Sequence, residues 1–166
     1  MNKIELSTAI NAPIERCFDL ARSVDLHRFS MQHHHETIIS GVQAGLMDYP
    51  NRVTWRARHF GVWFTLESAI TKFTRPFYFT DEMQAGPFKK MVHDHFFYCT
   101  DSGTVMIDQF YFQSPYGWLG EVVDSLVLKN YLVNLLQQRN QTIRQFAETD
   151  KWMEVLAQPE KIYKST

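Results

Sequence analysis

Between residues 35 and 113 the chain consists of six strand-length segments, each bounded by residues that favour turns. Valine, isoleucine, threonine and aromatic residues are frequent within the segments, whereas glycine, proline, asparagine and aspartate cluster between them. The predicted strands cover residues 35–47, 52–60, 62–73, 76–84, 90–99 and 104–113. Their connections are as short as those of β-hairpins, so we predict a meander in which consecutive strands pair antiparallel.

A further strand and two short helices are predicted before this meander. Residues 3–10 alternate polar and apolar side chains, which is typical of a half-buried strand. Asn11 or Ala12 then lies near the start of a helix that has Pro13 in its first turn. A second short helix is predicted for residues 24–31.

One long helix is predicted after the meander. From Gly117 or Leu119 to about Phe146 the chain contains no proline, and its apolar residues form a broad stripe at helical spacing. Residues 152–156 add one more helical turn, and the last residues form a tail. We find no internal repeat and no linker.

These elements can bury their apolar faces together only if a curved sheet wraps the long helix. The predicted fold class is therefore α+β, with a curved seven-stranded antiparallel sheet around a long C-terminal helix and two short helices after strand 1. Residues 1–148 form a single ligand-binding domain, and residues 149–166 form the helical turn and tail. This arrangement leaves space between helix and sheet.

Charge, apolar runs and cysteines exclude several classes of protein. The net charge of −1 over 166 residues provides no basic face, so we expect no nucleic-acid partner. No segment reaches 18 uninterrupted apolar residues and the N-terminus lacks the apolar run of a signal peptide, which predicts a cytoplasmic protein without an integral membrane segment. Cys17 and Cys99 alone indicate neither a disulfide framework nor a cysteine-based zinc site.

Two histidines one residue apart, His93 and His95, lie in an apolar and aromatic strand segment. Side chains two residues apart share one face of a strand, so both imidazoles point the same way as Met91 and Phe97. Buried polar groups cost free energy unless each finds a partner. The pair therefore indicates a cavity with a partly polar wall.

The neighbouring strands extend this inward face. In 52–60 the arginines alternate with the inward residues Val53, Trp55, Ala57 and His59. The inward residues of the other two strands are Phe77, Phe79, Asp81 and Met83 in 76–84, and Met106, Asp108, Phe110 and Phe112 in 104–113. The candidate ligand-binding residues are Trp55, His59, Phe64, Phe79, Asp81, Met83, Met91, His93, His95, Phe97, Met106, Asp108, Phe110 and Phe112.

The polar members of this face have two competing interpretations. In the functional one they orient or protonate a bound ligand, because ligand pockets are mostly apolar with a few placed polar groups. In the structural one they form an internal hydrogen-bond network. His93, His95 and Asp108 are the catalytic candidates, although the chain has no nucleophile motif and no glycine-rich phosphate loop.

Metal binding is a third interpretation, with His59 or Asp108 completing a set around His93 and His95. The spacing alone is a weak signal, and we predict neither a metal site nor a cofactor. The consecutive run 33–35, which is His-His-His, cannot direct all three rings to one centre on a strand. It is interpreted as a solvated loop that could capture metal adventitiously.

Several motifs resemble the SRPBCC superfamily, whose members include START-related lipid-binding domains, polyketide cyclase and dehydratase relatives, and coenzyme-Q-binding proteins. The segment 10–18 is similar to the superfamily's opening pattern of an apolar residue, any residue, Ala-Pro, three further residues and Val-Phe. The other motifs that carry the resemblance are Trp55 to Gly61, Gly86-Pro87-Phe88, His93-Asp94-His95, Gly103-Thr104 and Ser114 to Gly120. The resemblance spans nearly the whole chain, points to a bacterial branch labelled cyclase/dehydratase, and implies the helix-grip fold.

The predicted cavity and the resemblance to this superfamily together predict a protein that binds a small hydrophobic or amphipathic ligand, such as a lipid, a quinone or a polyketide-like molecule. We expect binding rather than chemistry. One alternative is a cyclase or dehydratase-type enzyme that uses a cavity histidine as general base. Another is a non-enzymatic interaction module whose cavity is filled by its own side chains. The sequence leaves ligand identity, pathway and oligomeric state open, a homodimer included.

Overall fold

The computed structural model describes residues 1–32, 35–115 and 127–156. These residues form seven strands and four helices. The strands are β1 (Asn2–Ile10), β2 (Thr37–Gly41), β3 (Arg52–His59), β4 (Val62–Thr74), β5 (Tyr78–Ala85), β6 (Lys90–Thr100) and β7 (Gly103–Gln113). The helices are α1 (Ile14–Ala21), α2 (Val24–Ser30), α3 (Lys129–Ala147) and α4 (Trp152–Leu156).

All seven strands belong to one antiparallel sheet with the order β1-β7-β6-β5-β4-β3-β2. Strands β2 to β7 follow each other in this order, which confirms the predicted meander. The first strand, β1, forms one edge of the sheet and pairs with β7, so that Ile4 lies opposite Phe110. The alternating burial along β3, β6 and β7 also confirms the predicted inward faces of these strands.

The predicted boundaries of β2 and α1 differ from those in the structure. Strand β2 covers only 37–41 instead of 35–47, because Gly41 has a φ of 85° and sits against the backbone of Arg52 with no room for a Cβ atom. Helix α1 begins at Ile14 with Pro13 as its N-cap residue, so neither Asn11 nor Ala12 caps it. The predicted long helix is present as α3, and its predicted first part, 117–126, lies outside the described residues.

Two clusters of buried apolar residues lie between the sheet and helices α1 and α3. Phe18 of α1 is fully buried, and its ring packs edge-on against Phe73, Phe79 and Phe97 at centroid distances of 5.4, 5.4 and 5.3 Å. A second cluster joins Leu136 of α3 to apolar residues of β1, β6 and β7. Helix α3 is therefore held against the half of the sheet that contains the paired histidines. No helix in the described part of the chain combines the length and apolarity needed to cross a bilayer.

We expect Phe18→Ala to lower the free energy of unfolding by about 3–5 kcal/mol, because the substitution opens a cavity among three aromatic rings. Urea unfolding followed by circular dichroism measures this loss. Phe77→Ala is the matched control, since the Phe77 side chain is 54% exposed, and it should change stability by only about 0.5 kcal/mol. Equal losses in the two variants would contradict the assignment of Phe18 to the centre of the core.

Candidate functional site

A cavity of about 730 Å³ lies between the sheet and helices α2 and α3. Its lining comes from α2, β3, β4, β5, β6, β7 and α3, and most of the lining residues are apolar or aromatic. The polar side chains on its wall include Ser68, Asp81, His93, His95 and Arg139. The cavity is therefore a largely apolar chamber that carries a small set of polar groups.

Nine of the fourteen candidate ligand-binding residues line this cavity. They are Trp55, His59, Phe64, Phe79, Asp81, Met91, His93, His95 and Phe110. Their role toward a ligand stays a prediction.

The other five candidates do not line the cavity, although four of them are inward-facing and buried. Phe97 and Met106 belong to the core cluster around α1, and Phe112 packs edge-on against Phe88 at 6.0 Å. Asp108 is buried and contacts the two histidines, and the partly buried Met83 packs at the margin of the second core cluster. Helices α1 and α3 cover part of the inward face, so an inward position is not by itself a cavity position.

The predicted inward orientation of Phe77 is wrong. The residue lies in the turn before β5, where its amide donates to the carbonyl oxygen of Thr74, and its side chain is exposed. The alternation of a strand does not extend into a turn.

Asp108 and the two histidines form a compact buried cluster. His93 and His95 share one face of β6, and β7 places Asp108 directly opposite His95. The Nε2 atom of His93 is hydrogen-bonded to Asp108 Oδ1 at 2.8 Å. The Nδ1 atom of His95 lies 2.9 Å from the same oxygen but outside hydrogen-bonding alignment, so it is buried without a hydrogen-bond partner among the described residues.

Helix α3 supplies the remaining partners of Asp108. Asn140 Nδ2 donates to Asp108 Oδ2 at 2.7 Å, and Arg139 Nη1 lies 3.5 Å from Asp108 Oδ1. Arg139 Nη2 also donates to the carbonyl oxygen of Ala21, at the end of α1, at 2.8 Å. The carboxylate thereby connects strands β6 and β7 to helix α3, and Arg139 extends the connection to α1.

The charge states in this cluster follow from burial and from these contacts. Burial alone would raise the pKa of Asp108, but the hydrogen bond with His93 and the close contact with His95 outweigh it and hold this pKa well below its usual value. Burial, together with the neighbouring His93, depresses the pKa of His95 well below its usual value. Asp108 is therefore an ionised carboxylate beside a neutral His95.

Asp81 differs from Asp108, although both are acidic residues on the inner face. It pairs with His93 across β5 and β6 and lines the cavity, and its Oδ1 atom is buried without a hydrogen-bond partner in the described parts of the chain. Burial raises the pKa of Asp81, and the opposing effects of His93 and Ser68 do not cancel this rise. A protonated Asp81 can donate a hydrogen bond to a carbonyl or hydroxyl oxygen in the cavity.

The cavity reaches the surface beside the turn that joins β3 and β4. Phe60 and Gly61 both have positive φ angles, 52° and 78°, as a two-residue hairpin requires. This turn places Phe60, which is 63% exposed, over the cavity rim, where its ring lies 4.4 Å from that of Tyr131. The Tyr131 hydroxyl is also hydrogen-bonded to His59 Nδ1 at 2.6 Å. His59 therefore belongs to the rim and not to the His93 cluster.

Several polar groups of this site are not among the residues predicted from the sequence. Arg139 and Asn140 lie on the apolar stripe of α3, between the buried residues Leu136 and Ile143. Polar residues within an apolar stripe indicate buried polar contacts, so the sequence contains a signal for both. His27 and Glu36 also line the cavity, with His27 Nε2 3.1 Å from Glu36 Oε2. No pattern in the sequence singled out this second pair.

Asp108→Ala should lower the free energy of unfolding by about 3–5 kcal/mol, because it leaves the buried Arg139 guanidinium without its counter-ion. Asp94→Ala is the control on the other face of the sheet, where Asp94 accepts hydrogen bonds from Tyr78 and Thr80, and it should cost about 1 kcal/mol. Chemical denaturation at neutral pH measures both losses. A smaller loss for Asp108→Ala than for Asp94→Ala would show that Asp108 does not organise the buried cluster.

No family model and no curated protein matches this chain in sequence. Solved structures do match it. The protein TTHA0849 from Thermus thermophilus aligns with a TM-score of 0.67 at 15% identity, over 86% of this chain and 97% of that one. The ginseng major latex-like protein 151 from Panax ginseng aligns with a TM-score of 0.66 at 12% identity, over 89% and 98% of the two chains.

A third match is StfQ, a di-domain ARO/CYC protein from the steffimycin biosynthetic pathway. It aligns with a TM-score of 0.69 at 12% identity, over 88% of this chain and 50% of StfQ. The TM-scores show that the fold is shared, whereas sequence identities this low leave the activity open. The chain shares the fold of these proteins, a curved antiparallel sheet around a C-terminal helix, which confirms the predicted helix-grip fold.

Proposed function

We propose that the protein binds a small hydrophobic or amphipathic molecule, such as a lipid, a quinone or a polyketide-like aromatic compound, between the sheet and α3. The observation that carries this proposal is the cavity of about 730 Å³, which is open at the rim and lined mainly by apolar side chains. Ligand pockets for small molecules typically have about 300–1,000 Å³ and few polar groups. The open volume weighs against the alternative of an interaction module with a filled interior.

The wall supports a ligand with an apolar body and one hydrogen-bonding group. Removing about 300 Å² of apolar ligand surface from water contributes about 7 kcal/mol before the costs of association. Asp81 and His93 lie side by side on the wall and offer a carboxyl group whose pKa is raised by burial and a nitrogen that the described residues leave without a hydrogen bond. A carbonyl or phenolic group fits this combination better than a full negative charge, which the ionised Asp108 would oppose.

Native mass spectrometry of freshly purified protein should detect a retained small molecule. An uncharged fluorescent apolar probe, N-phenyl-1-naphthylamine, should also bind to protein stripped of that molecule. Ala57→Phe should weaken probe binding at least tenfold, because Ala57 is buried on the cavity wall and a phenyl ring would occupy the chamber. Ala85→Phe is the matched control at an exposed position of β5 and should leave probe affinity unchanged.

The binding proposal fails if native spectra show only bare protein and Ala57→Phe binds the probe as well as the parent chain does. Circular dichroism of both variants excludes misfolding as the cause of a difference.

A second candidate function is catalysis of the cyclase or dehydratase type. It is favoured by the hydrogen bond between His93 Nε2 and Asp108, since a carboxylate orients an imidazole for proton transfer while the second ring nitrogen stays available to a substrate. Incubation with a β-hydroxy ketone surrogate would reveal dehydration as the loss of one water from the product mass. His93→Gln should then slow turnover by about 100-fold while surrogate binding persists. An equal rate in parent and variant would exclude His93 as the base.

A further inference from the structure

We propose that His93, His95 and Asp108 form a binding site for a divalent transition-metal ion on the wall of the cavity. The sequence leaves His59 or Asp108 as the third ligand beside His93 and His95, and the His-x-His spacing alone does not predict a metal site. The fold supplies that ligand from the adjacent strand, opposite His95. The proposal does not depend on the identity of the cavity's organic ligand.

The three donor groups lie close enough together to converge on one metal ion after a small displacement. One nitrogen from each imidazole and one carboxylate oxygen all lie within 4.8 Å of each other. The two nitrogen to oxygen distances are 2.8 and 2.9 Å. Two ligands of a tetrahedral ion at about 2.1 Å are about 3.4 Å apart, so each nitrogen must move about half an ångström away from the oxygen to admit the ion.

A hydrogen-bond network explains only part of this arrangement. It accounts for the contact between His93 and Asp108, but it leaves His95 Nδ1 buried, 2.9 Å from a carboxylate oxygen and not aligned with it. A metal ion would use the lone pair of this nitrogen and would remove the mismatch. The buried unpartnered nitrogen is thus the observation that distinguishes a metal site from a purely structural cluster.

The surroundings hold the ligands in place as the outer contacts of metal sites do. Asn140 donates to the second oxygen of Asp108 and fixes the orientation of the carboxylate. The ring of His95 stacks on Phe79 at a centroid distance of 4.2 Å. Both histidines line the cavity, whereas Asp108 does not, so the remaining coordination positions of an ion would face the open chamber.

The donor set indicates which ions would bind. Two imidazole nitrogens and one carboxylate oxygen favour Zn²⁺, Fe²⁺ or Co²⁺ over Mg²⁺ and Ca²⁺, which prefer oxygen ligands. The guanidinium of Arg139, 3.5 Å from Asp108 Oδ1, opposes a nearby cation, so we expect micromolar rather than picomolar affinity. Three protein ligands also leave room for an oxygen atom of a bound small molecule to complete the coordination.

The test requires a background in which adventitious metal binding is removed. The tag-free full-length chain should carry asparagine in place of each histidine of the 33–35 run and serine in place of the exposed Cys99, and it should be dialysed against a chelator. Zn²⁺ is then titrated by calorimetry, and Co²⁺ is titrated by visible absorption. We expect one ion per chain, and Co²⁺ bands that differ from those of the aqueous ion.

His95→Gln and Asp108→Asn should each weaken binding of both ions by at least 100-fold, because each removes a ligand. Asp94→Asn is the matched control, since Asp94 lies between the two histidines on β6 but contacts Tyr78 and Thr80 on the other face of the sheet, and this variant should bind both ions as the background protein does.

The proposal is overturned if the background protein takes up no stoichiometric ion, or if folded His95→Gln binds as tightly as the background protein. If neither His95→Gln nor Asp108→Asn folds, the test depends on the Co²⁺ spectrum of the background protein. A spectrum identical to that of the aqueous ion then overturns the proposed site. Binding of the fluorescent probe without any metal would leave the cavity proposal standing, so the two proposals can fail separately.

Discussion

The ionised carboxylate of Asp108 is the interaction on which the rest of the site depends. It is buried at the meeting point of β6, β7 and α3, where it contacts two imidazoles, one amide and one guanidinium. Burying a carboxylate without partners would cost a large amount of folding free energy. Burying the Arg139 guanidinium without this carboxylate would also destabilise the fold. Its presence therefore fixes the position of α3 against the sheet, and with it one wall of the cavity.

Most of the fold follows from local pattern. Alternation of polar and apolar residues over β3, β6 and β7 identifies both the strands and their buried faces. The pairing register is fixed as well, because a shift by one residue would move the apolar side chains of a strand from the core to the solvent. The pattern fails where the backbone leaves the strand. Phe77 precedes β5, and β2 ends at Gly41, and both departures depend on turn conformations that hydrophobic alternation does not encode.

The site was only partly predictable, for a different physical reason. Strand alternation reveals which side chains point inward, but α1 and α3 decide which inward residues meet open space. Phe97 and Met106 are buried by α1, while Trp55 and His93 remain on the cavity wall. The partners on α3 were hidden because Arg139 and Asn140 interrupt an apolar stripe that is otherwise typical of a core helix. The volume of the chamber depends on the curvature of the sheet, which no single segment specifies.

The pairing of β1 with β7 places the first strand of the chain against the last one. Residues about 100 positions apart, such as Ile4 and Phe110, must meet before the sheet is complete. During synthesis β1 therefore has no partner until β7 has emerged, and its hydrogen-bonding groups and apolar side chains remain available to other chains. Such long-range closure slows folding, since loop entropy is lost before the contacts form. The same strand that completes the native sheet is thus the segment most exposed to misassociation while the protein is being made.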